Sequence, residues 1–494
     1  MTNKPIAYFC AEYALNSILP TYAGGMGILA GDYLREADEQ KLPLVAVGLF
    51  YDFDNSPKIA PLLQIEVPIQ DQMVPVQVYK YSVGSIPVYL LSSPPITHKL
   101  YVADKETRLK QEIILGIGGL RVLEALGIHP DIYHLNEGHS AFLTLELIRH
   151  EMQEKHLSFE EAVFFAKKQI IFTNHTLVAA GSEIYDRDLV SLLLFGYARE
   201  IGVPVDEIIK LGLVPESSVF SLTMLALRMS ENVNAVSKLH AKKASEIWTE
   251  HAMIPITNGI HIKSWDMVGD DLVAGHKTRK EELMKEIGWD PNTLILGWAR
   301  RFVEYKRPLA ILDQIDRFAK IARNSQSPVK IIFSGGPHEA DKQGQKLLEI
   351  LRRVIKDKIG DIATYIPDYD MDVAKKMVSG CDVWLNTPVV GYEACGTSGM
   401  KAALNGTLPC STSDGWVGEI DLYKIGWVLN DDDLQNNILD ILEYDIVPMF
   451  YQNKPVWHEH MHNARNLIKT KFSTTRMLGE YQERFYKPLG VSGV

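Results

Sequence analysis

One pattern constrains this chain more than any other: a short apolar strand, a polar or glycine-rich turn, then an amphipathic helix, repeated along its length. Pro5–Cys10 predicts a strand, followed by the turn Tyr22–Gly27 and a helix through Ala30–Gln40. Leu44–Tyr51 predicts a second buried strand, and Arg108–Leu126 a helix that stops at Gly127. Asp131–Leu135 leads into the turn Asn136–His139 and a helix over Ala141–Glu154. Gln169–Thr173 ends in the polar turn Asn174–Thr176, and Met253–Thr257 runs into Asn258-Gly259. The pattern then restarts with the strand Thr293–Trp298, the turn Arg300–Lys306 and a helix over Pro308–Ala322. Lys330–Ser334, Ala363–Pro367, Val383–Asn386 and Thr407–Cys410 are further strands, and Phe472–Tyr486 a terminal helix. Strands alternating with helices form parallel sheets. Two such blocks predict an α/β protein of two doubly wound, Rossmann-like domains facing across a cleft. The expected boundaries are 1–265 and 266–470, with 471–494 a terminal helix crossing back to the first domain. Ligands of such sheets gather at the carboxyl ends of the strands, where this sequence puts its polar turns.

Composition removes several classes. With 51 Lys+Arg against 62 Asp+Glu, the net charge is −11 and there is no basic block. A nucleic-acid binder needs cations to neutralise phosphates, so none is expected as a partner. No apolar stretch approaches the ~20 residues of a membrane span, so no membrane is expected either. Glu12 interrupts the apolar stretch after Lys4, so no signal peptide is expected. Cys10, Cys381, Cys395 and Cys410 are isolated, which fits a reduced cytoplasm.

Three turns carry candidate chemistry. Gly24, Gly25 and Gly27 open a helix, so backbone N–H groups can approach an anion, although tight packing is the commoner reason for such a turn. Arg300, Arg301, Lys306 and Arg307 follow a buried strand, either as a surface charge run or as a phosphate site aimed into the cleft. Lys401 stands among small residues in Glu393–Lys401, as a Schiff-base nucleophile of lowered pKa or as an ordinary lysine near a helix start. His134 and His139 lack the HExxH spacing of a zinc helix. His175 sits alone on a strand-end turn, where a structural histidine is the commoner case. His458, His460 and His462 share a face only on a strand. No metal is expected.

Taken in order, Tyr22–Gly27, Arg108–Glu112, His134–Ala141, Thr173–Thr176, Thr257–Gly259, Arg300–Arg307 and Glu393–Gly406 resemble the α-glucan phosphorylases, the glycogen, starch and maltodextrin phosphorylases that use pyridoxal phosphate. The resemblance spans Ile6 to about Tyr486 and is closest to the short bacterial and archaeal form. It implies the GT-B arrangement of the two domains. It implies an enzyme that phosphorolyses α-1,4-glucan from the non-reducing end with retention, releasing α-glucose 1-phosphate. Lys401 resembles the lysine that carries pyridoxal 5′-phosphate, whose phosphate, rather than the Schiff base, does the chemistry. Thr397, Gly396, Tyr369 and Gly25 resemble coenzyme contacts, and Arg301, Lys306, Gly24 and Gly25 the phosphate-binding positions. Glu393, Cys395, Asn258, His175 and Tyr305 match positions that grip the terminal glucose, the His175 carbonyl facing the cationic sugar. His139 resembles the histidine lining the acceptor channel. The family's habit makes a homodimer the default.

The sequence departs from the longer enzymes at Ala14, at Cys395, at Ser398-Gly399 and in the segment before Arg108. Two alternatives stand beside phosphorolysis: a nucleotide-sugar-dependent glucan synthase of the same architecture, and an inactive glucan-binding homologue. Lys401 speaks against the synthase, which needs no Schiff base. The joint presence of Lys401, Arg301, Lys306 and Thr397 speaks against decay.

Overall fold

Each residue of β1 (Ile6–Phe9) is buried, and successive side chains enter different apolar layers: Ala7 and Phe9 one, Ile6 and Tyr8 the other. A strand covered on both faces belongs in the middle of a parallel sheet. In the computed structural model, which describes residues 4–16, 19, 21–51, 60–177 and 184–486, β1 holds that place. The chain divides into two compact units. The first contains the chain to Val236, then Ala241–Ile256 and the segment from Met477 onward; the second contains Ser237–His240 and Thr257–Arg476.

The first unit is built on β1, β2 (Leu44–Leu49), β3 (Leu63–Ile69), β4 (Gln72–Val83), β5 (Ile86–Ser92), β6 (Ile132–Asn136), β7 (Ile170–Asn174), β8 (Ile184–Asp186), β9 (Val219–Ser221), β10 (Asn232–Ala235) and β11 (Ile254–Pro255). Nine of these form one sheet in the order β11-β10-β7-β6-β1-β2-β5-β4-β3, with β8 and β9 paired apart. From β11 to β5 the pairing is parallel. The strands β4 and β3 are added antiparallel at one edge. The chain fills one side of β1 first and then crosses to β6, so the switch point lies between β1 and β6.

The second unit holds β12 (Leu294–Ala299), β13 (Val329–Ser334), β14 (Ala363–Ile366), β15 (Val383–Asn386), β16 (Leu408–Thr412) and β17 (Trp427–Leu429). Their order is β14-β13-β12-β15-β16-β17, parallel throughout. Renumbered from β12, this is the 3-2-1-4-5-6 order of a dinucleotide-binding sheet, whose ligand crevice opens between its first and fourth strands. Both units are thus Rossmann-like parallel α/β structures.

Some expectations change in detail. The segment 63–92 forms an antiparallel edge that the sequence pattern did not announce. Over Pro308–Ala322 only Ala310–Leu312 and Ile315–Ala322 are helical, because Gln314 (φ −114°, ψ 60°) breaks the run. The helix expected at Arg108–Leu126 begins at Lys105, capped by the Asp104 side chain, and passes through a π-turn at Ile114–Gly118. His458, His460 and His462 lie on the helix Lys454–Lys471, where alternate residues splay apart.

The helix Thr474–Arg484 packs with the first unit through a buried polar network. The Tyr486 hydroxyl meets Tyr33 and His134 Nδ1, and His134 Nε2 lies 2.7 Å from Thr173 Oγ1. Asn234 receives the Thr173 hydroxyl at 2.6 Å and donates to the Tyr481 hydroxyl at 2.9 Å.

Candidate active site

In the second unit the loops after β12 and β15, which flank the switch point, meet around Glu393. Lys306 Nζ lies 2.9 Å and Arg300 3.4 Å from Glu393 Oε2. Burial raises the Glu393 carboxyl, but Lys306 and Arg300 beside it dominate and hold it at about 2. Burial lowers Lys306 to about 8, against the pull of Glu393. Around neutral pH the pair is therefore ionised.

Two glycines let this cluster close. Gly335 (φ 98°) passes so near the Arg300 main chain that a Cβ would stand 2.0 Å from its carbonyl oxygen. At Gly396 a Cβ would stand 2.5 Å from the Arg300 guanidinium. Asp414, which follows β16, accepts the N–H groups of Gly391 and Glu393 at 3.0 Å each and so fixes the loop. Tyr305 is half-buried and stacked on Tyr392, ring centroids 6.2 Å apart. Arg301 is exposed; it adds to the field at Lys306 and Glu393, while its neighbour Arg300 makes the contact.

The same loop continues into the helix Ser398–Leu404, which carries Lys401. Lys401 is 5% exposed, and its Nζ lies 4.1 Å from the centroid of the Trp265 ring. Asn405 ties both partners: its amide donates to the carbonyls of Trp265 (2.7 Å) and Lys401 (2.8 Å), and its oxygen accepts the Met267 N–H at 2.8 Å. Thr397 precedes this helix, and its carbonyl accepts the Lys401 N–H. Asn258 donates to the Cys395 carbonyl at 3.2 Å, and burial pushes the Cys395 thiol up. Tyr369 lies half-buried in the loop after β14, at the carboxyl edge of the same sheet.

In the first unit the turns after β1, β6 and β7 carry the remaining candidates. Ala23 and Gly24 both donate N–H groups to Glu12 Oε2, at 2.7 and 3.0 Å, and the Tyr101 hydroxyl donates to Glu12 Oε1 at 2.6 Å. The glycine turn is thus an anion site, and here a side chain of the protein itself holds it. Gly25 opens the helix Gly25–Glu39, with open space where a Cβ would stand. His139 is buried beside Tyr101, ring centroids 5.9 Å apart. His175 holds Asn136 Oδ1 with its Nε2 at 2.6 Å, and its N–H donates to Glu137 at 2.9 Å. Burial, aided by His139, lowers His175 to about 4, so its ring is neutral near pH 7.

The structure thus gathers Lys306, Glu393 and Gly396 in one cluster, and Lys401 with Thr397 at the start of the following helix. It sets His175 and His139 on neighbouring turns of the first unit, beside the glycine turn at Gly24 and Gly25. Asp414, Asn405, Glu12 and Glu137 were missed as functional residues, and Arg300, named only as one basic residue of its turn, makes the Glu393 contact. Asp414 falls within two residues of a strand end, a signal that was available; Tyr101 lies 89 residues from Glu12, and Trp265 and Met267 lie 140 and 138 from Asn405, too far along the chain to be inferred.

Residues 268–425 match the family described as carbohydrate phosphorylase, and residues 5–258 the starch synthase catalytic domain. A maltodextrin phosphorylase of Thermococcus litoralis is 36% identical, the alignment covering 98% of this chain and 70% of the relative. A glycogen phosphorylase of Aquifex aeolicus is 31% identical over 98% of this chain and 86% of its own. The chain belongs to the α-glucan phosphorylase family. That family consists of glycosyltransferases, and the paired Rossmann-like units accord with such an enzyme. An uncharacterized protein of Methanocaldococcus jannaschii, 30% identical over 98% of this chain, is matched over its full length. Among the described residues no helix is long and apolar enough to cross a membrane.

Proposed function

We propose that this α-glucan phosphorylase transfers the terminal glucose of an α-1,4-glucan, taken from the non-reducing end, to inorganic phosphate, releasing α-glucose 1-phosphate with retention. The observation that carries the proposal is the charge cluster Lys306–Glu393–Arg300 at a sheet switch point, followed by the buried Lys401 on the helix that continues the Glu393 loop.

The residues present fit pyridoxal 5′-phosphate. Lys401 offers a buried amine beside an aromatic face, and cations suited to a phosphate stand on the adjoining loop. Lys401, Thr397, Gly396, Tyr369 and Gly25 would hold the coenzyme. When bound, its 5′-phosphate supplies a proton donor and acceptor next to the substrate phosphate. Phosphorolysis concentrates negative charge, which fixed cations and oriented N–H groups must offset. Lys306 and Arg301, with Arg300, are assigned to that task, and Gly24 and Gly25 to the same task on the first unit, once an incoming anion competes with Glu12.

Breaking the glycosidic bond passes through an oxocarbenium-like state. The substrate phosphate donates its proton to the glycosidic oxygen and then attacks the same face of the sugar, which accounts for retention. The His175 carbonyl stabilises the cationic sugar. Glu393 accepts a sugar hydroxyl while keeping Lys306 in place. Asn258, Cys395 and Tyr305 hold further hydroxyls, and His139 lines the acceptor path. A homodimer is the oligomer proposed.

The test is to incubate the pyridoxal phosphate-reconstituted protein with maltoheptaose and phosphate. Release of α-glucose 1-phosphate, with borohydride fixing the coenzyme to Lys401 by peptide mass, is expected; absence of both rejects the proposal. The starch synthase match over 5–258 favours one rival, glucose transfer from a nucleotide sugar. Chain extension from ADP-glucose or UDP-glucose, but not from glucose 1-phosphate, would establish it.

A further inference from the structure

Glu137 has the backbone of a glycine. Its φ is 77° and its ψ 167°, a region that side-chain-bearing residues essentially do not enter unless their surroundings force them. The other non-glycine residues of positive φ among those described lie between 46° and 58°, in the ordinary left-handed region. Glu137 is also 5% exposed, and burial raises its carboxyl above the ordinary range. A strained backbone and a buried acid are both unfavourable, so their coincidence calls for a reason beyond stability.

The contacts supply one. The Glu137 N–H donates to the Thr173 carbonyl at 3.0 Å, continuing the pairing of β6 with β7. The turned backbone then lets the carboxylate reach across to the next strand's turn. There Oε2 accepts the His175 N–H at 2.9 Å, while Oε1 accepts the Gly138 N–H at 3.0 Å. The Thr176 side chain hydrogen-bonds the same carboxylate. The preceding residue, Asn136, takes the His175 ring at 2.6 Å. His175 is therefore gripped at its main chain and at its ring by two consecutive residues of one strand end.

We infer that Glu137 is a positioning residue, whose strained backbone and buried carboxylate fix the main chain at His175 and so hold the aim of the His175 carbonyl on the reacting sugar. This rests on the phosphorolysis proposed above. It assigns Glu137 no contact with substrate.

Two variants test it. Glu137→Gly keeps the backbone conformation without strain and deletes the tether. Glu137→Gln keeps one acceptor oxygen of the two. The expected order of kcat is wild type, then Glu137→Gln, then Glu137→Gly, the last reduced about 10²-fold, the scale of a misplacement near 1 Å. KM values for phosphate and maltoheptaose change little. Without any ligand, hydrogen exchange of a peptide spanning 173–177 quickens in the same order, while circular dichroism confirms the fold. Wild-type kcat in Glu137→Gly overturns the inference, as does a loss of kcat with unaltered exchange at 173–177. A wild-type protein that releases no glucose 1-phosphate sinks the functional proposal instead, and the tether then stands or falls on exchange alone.

Discussion

Both units hold a carboxylate at the switch point of a parallel sheet, and they hold it by different means. In the first, Glu12 rests on two backbone N–H groups and a tyrosine hydroxyl. In the second, Glu393 rests on a lysine and an arginine. Backbone donors are neutral, do not titrate and are little affected by salt. Side-chain cations can change partner, and one of them, Lys306, titrates near pH 8. The difference teaches what each anion position responds to: the second unit's cluster to pH and salt, the first unit's turn to whichever anion best fits its fixed N–H groups.

The variant that should break this contrast most sharply is Lys306→Ala. Removing a preorganised cation from a developing charge costs about 10²–10³-fold in rate, so kcat/KM for phosphate should fall by that much with the fold retained by circular dichroism, while the loss of the nearest partner of buried Glu393 lowers the melting temperature. Near-normal turnover, still saturable in phosphate, would remove the distinction between the units. Asn405→Ala comes next. It removes the hydrogen bonds to the carbonyls of Trp265 and Lys401 and from the Met267 N–H, so unfolding should ease by about 3 kcal/mol, read from denaturant midpoints; a loss below about 1 kcal/mol would mean that water replaces the amide.

Smaller effects sharpen the comparison. Lys306 carries its proton below about pH 8 and loses it above, so kcat/KM for phosphate should decline on the alkaline side of about 8. In Lys306→Arg that limb should vanish, because a guanidinium stays charged; an unchanged limb would assign it to another group. Least of all should be Glu12→Gln. Its two backbone donors lie in a partly exposed turn that water can serve, so the expected cost is about 1 kcal/mol, independent of ionic strength. A strong salt dependence would show that the first unit also relies on charge.

How far the sequence could be read follows from the same local physics. Most parallel strands were legible where a short apolar run is buried on both faces, as in Leu44–Leu49 and Leu294–Ala299; the parallel strands Ile86–Ser92, Asn232–Ala235 and Trp427–Leu429 were not expected. The edge at 63–92 was not, since exposed Gln64 and Glu66 alternate with Ile65 and Val67 and dilute the run. At the site, the motif Arg300–Arg307 was visible but its inward residue was not. Consecutive side chains past a strand end point to opposite sides, so Arg300 is buried and Arg301 exposed; only the register decides which. Glu137 was passed over because a glutamate carries no mark of its φ in the sequence.

The helix Thr474–Arg484 has a consequence for how this chain is made. His134, Thr173 and Asn234 are made first, and the tyrosines that hydrogen-bond them, 481 and 486, follow 247 to 352 residues later. A nascent chain halted before position 474 leaves those three buried polar groups without these partners, and one face of the central sheet lacks Met477, Leu478 and Phe485. The N-terminal half therefore completes its core only once position 486 has been made.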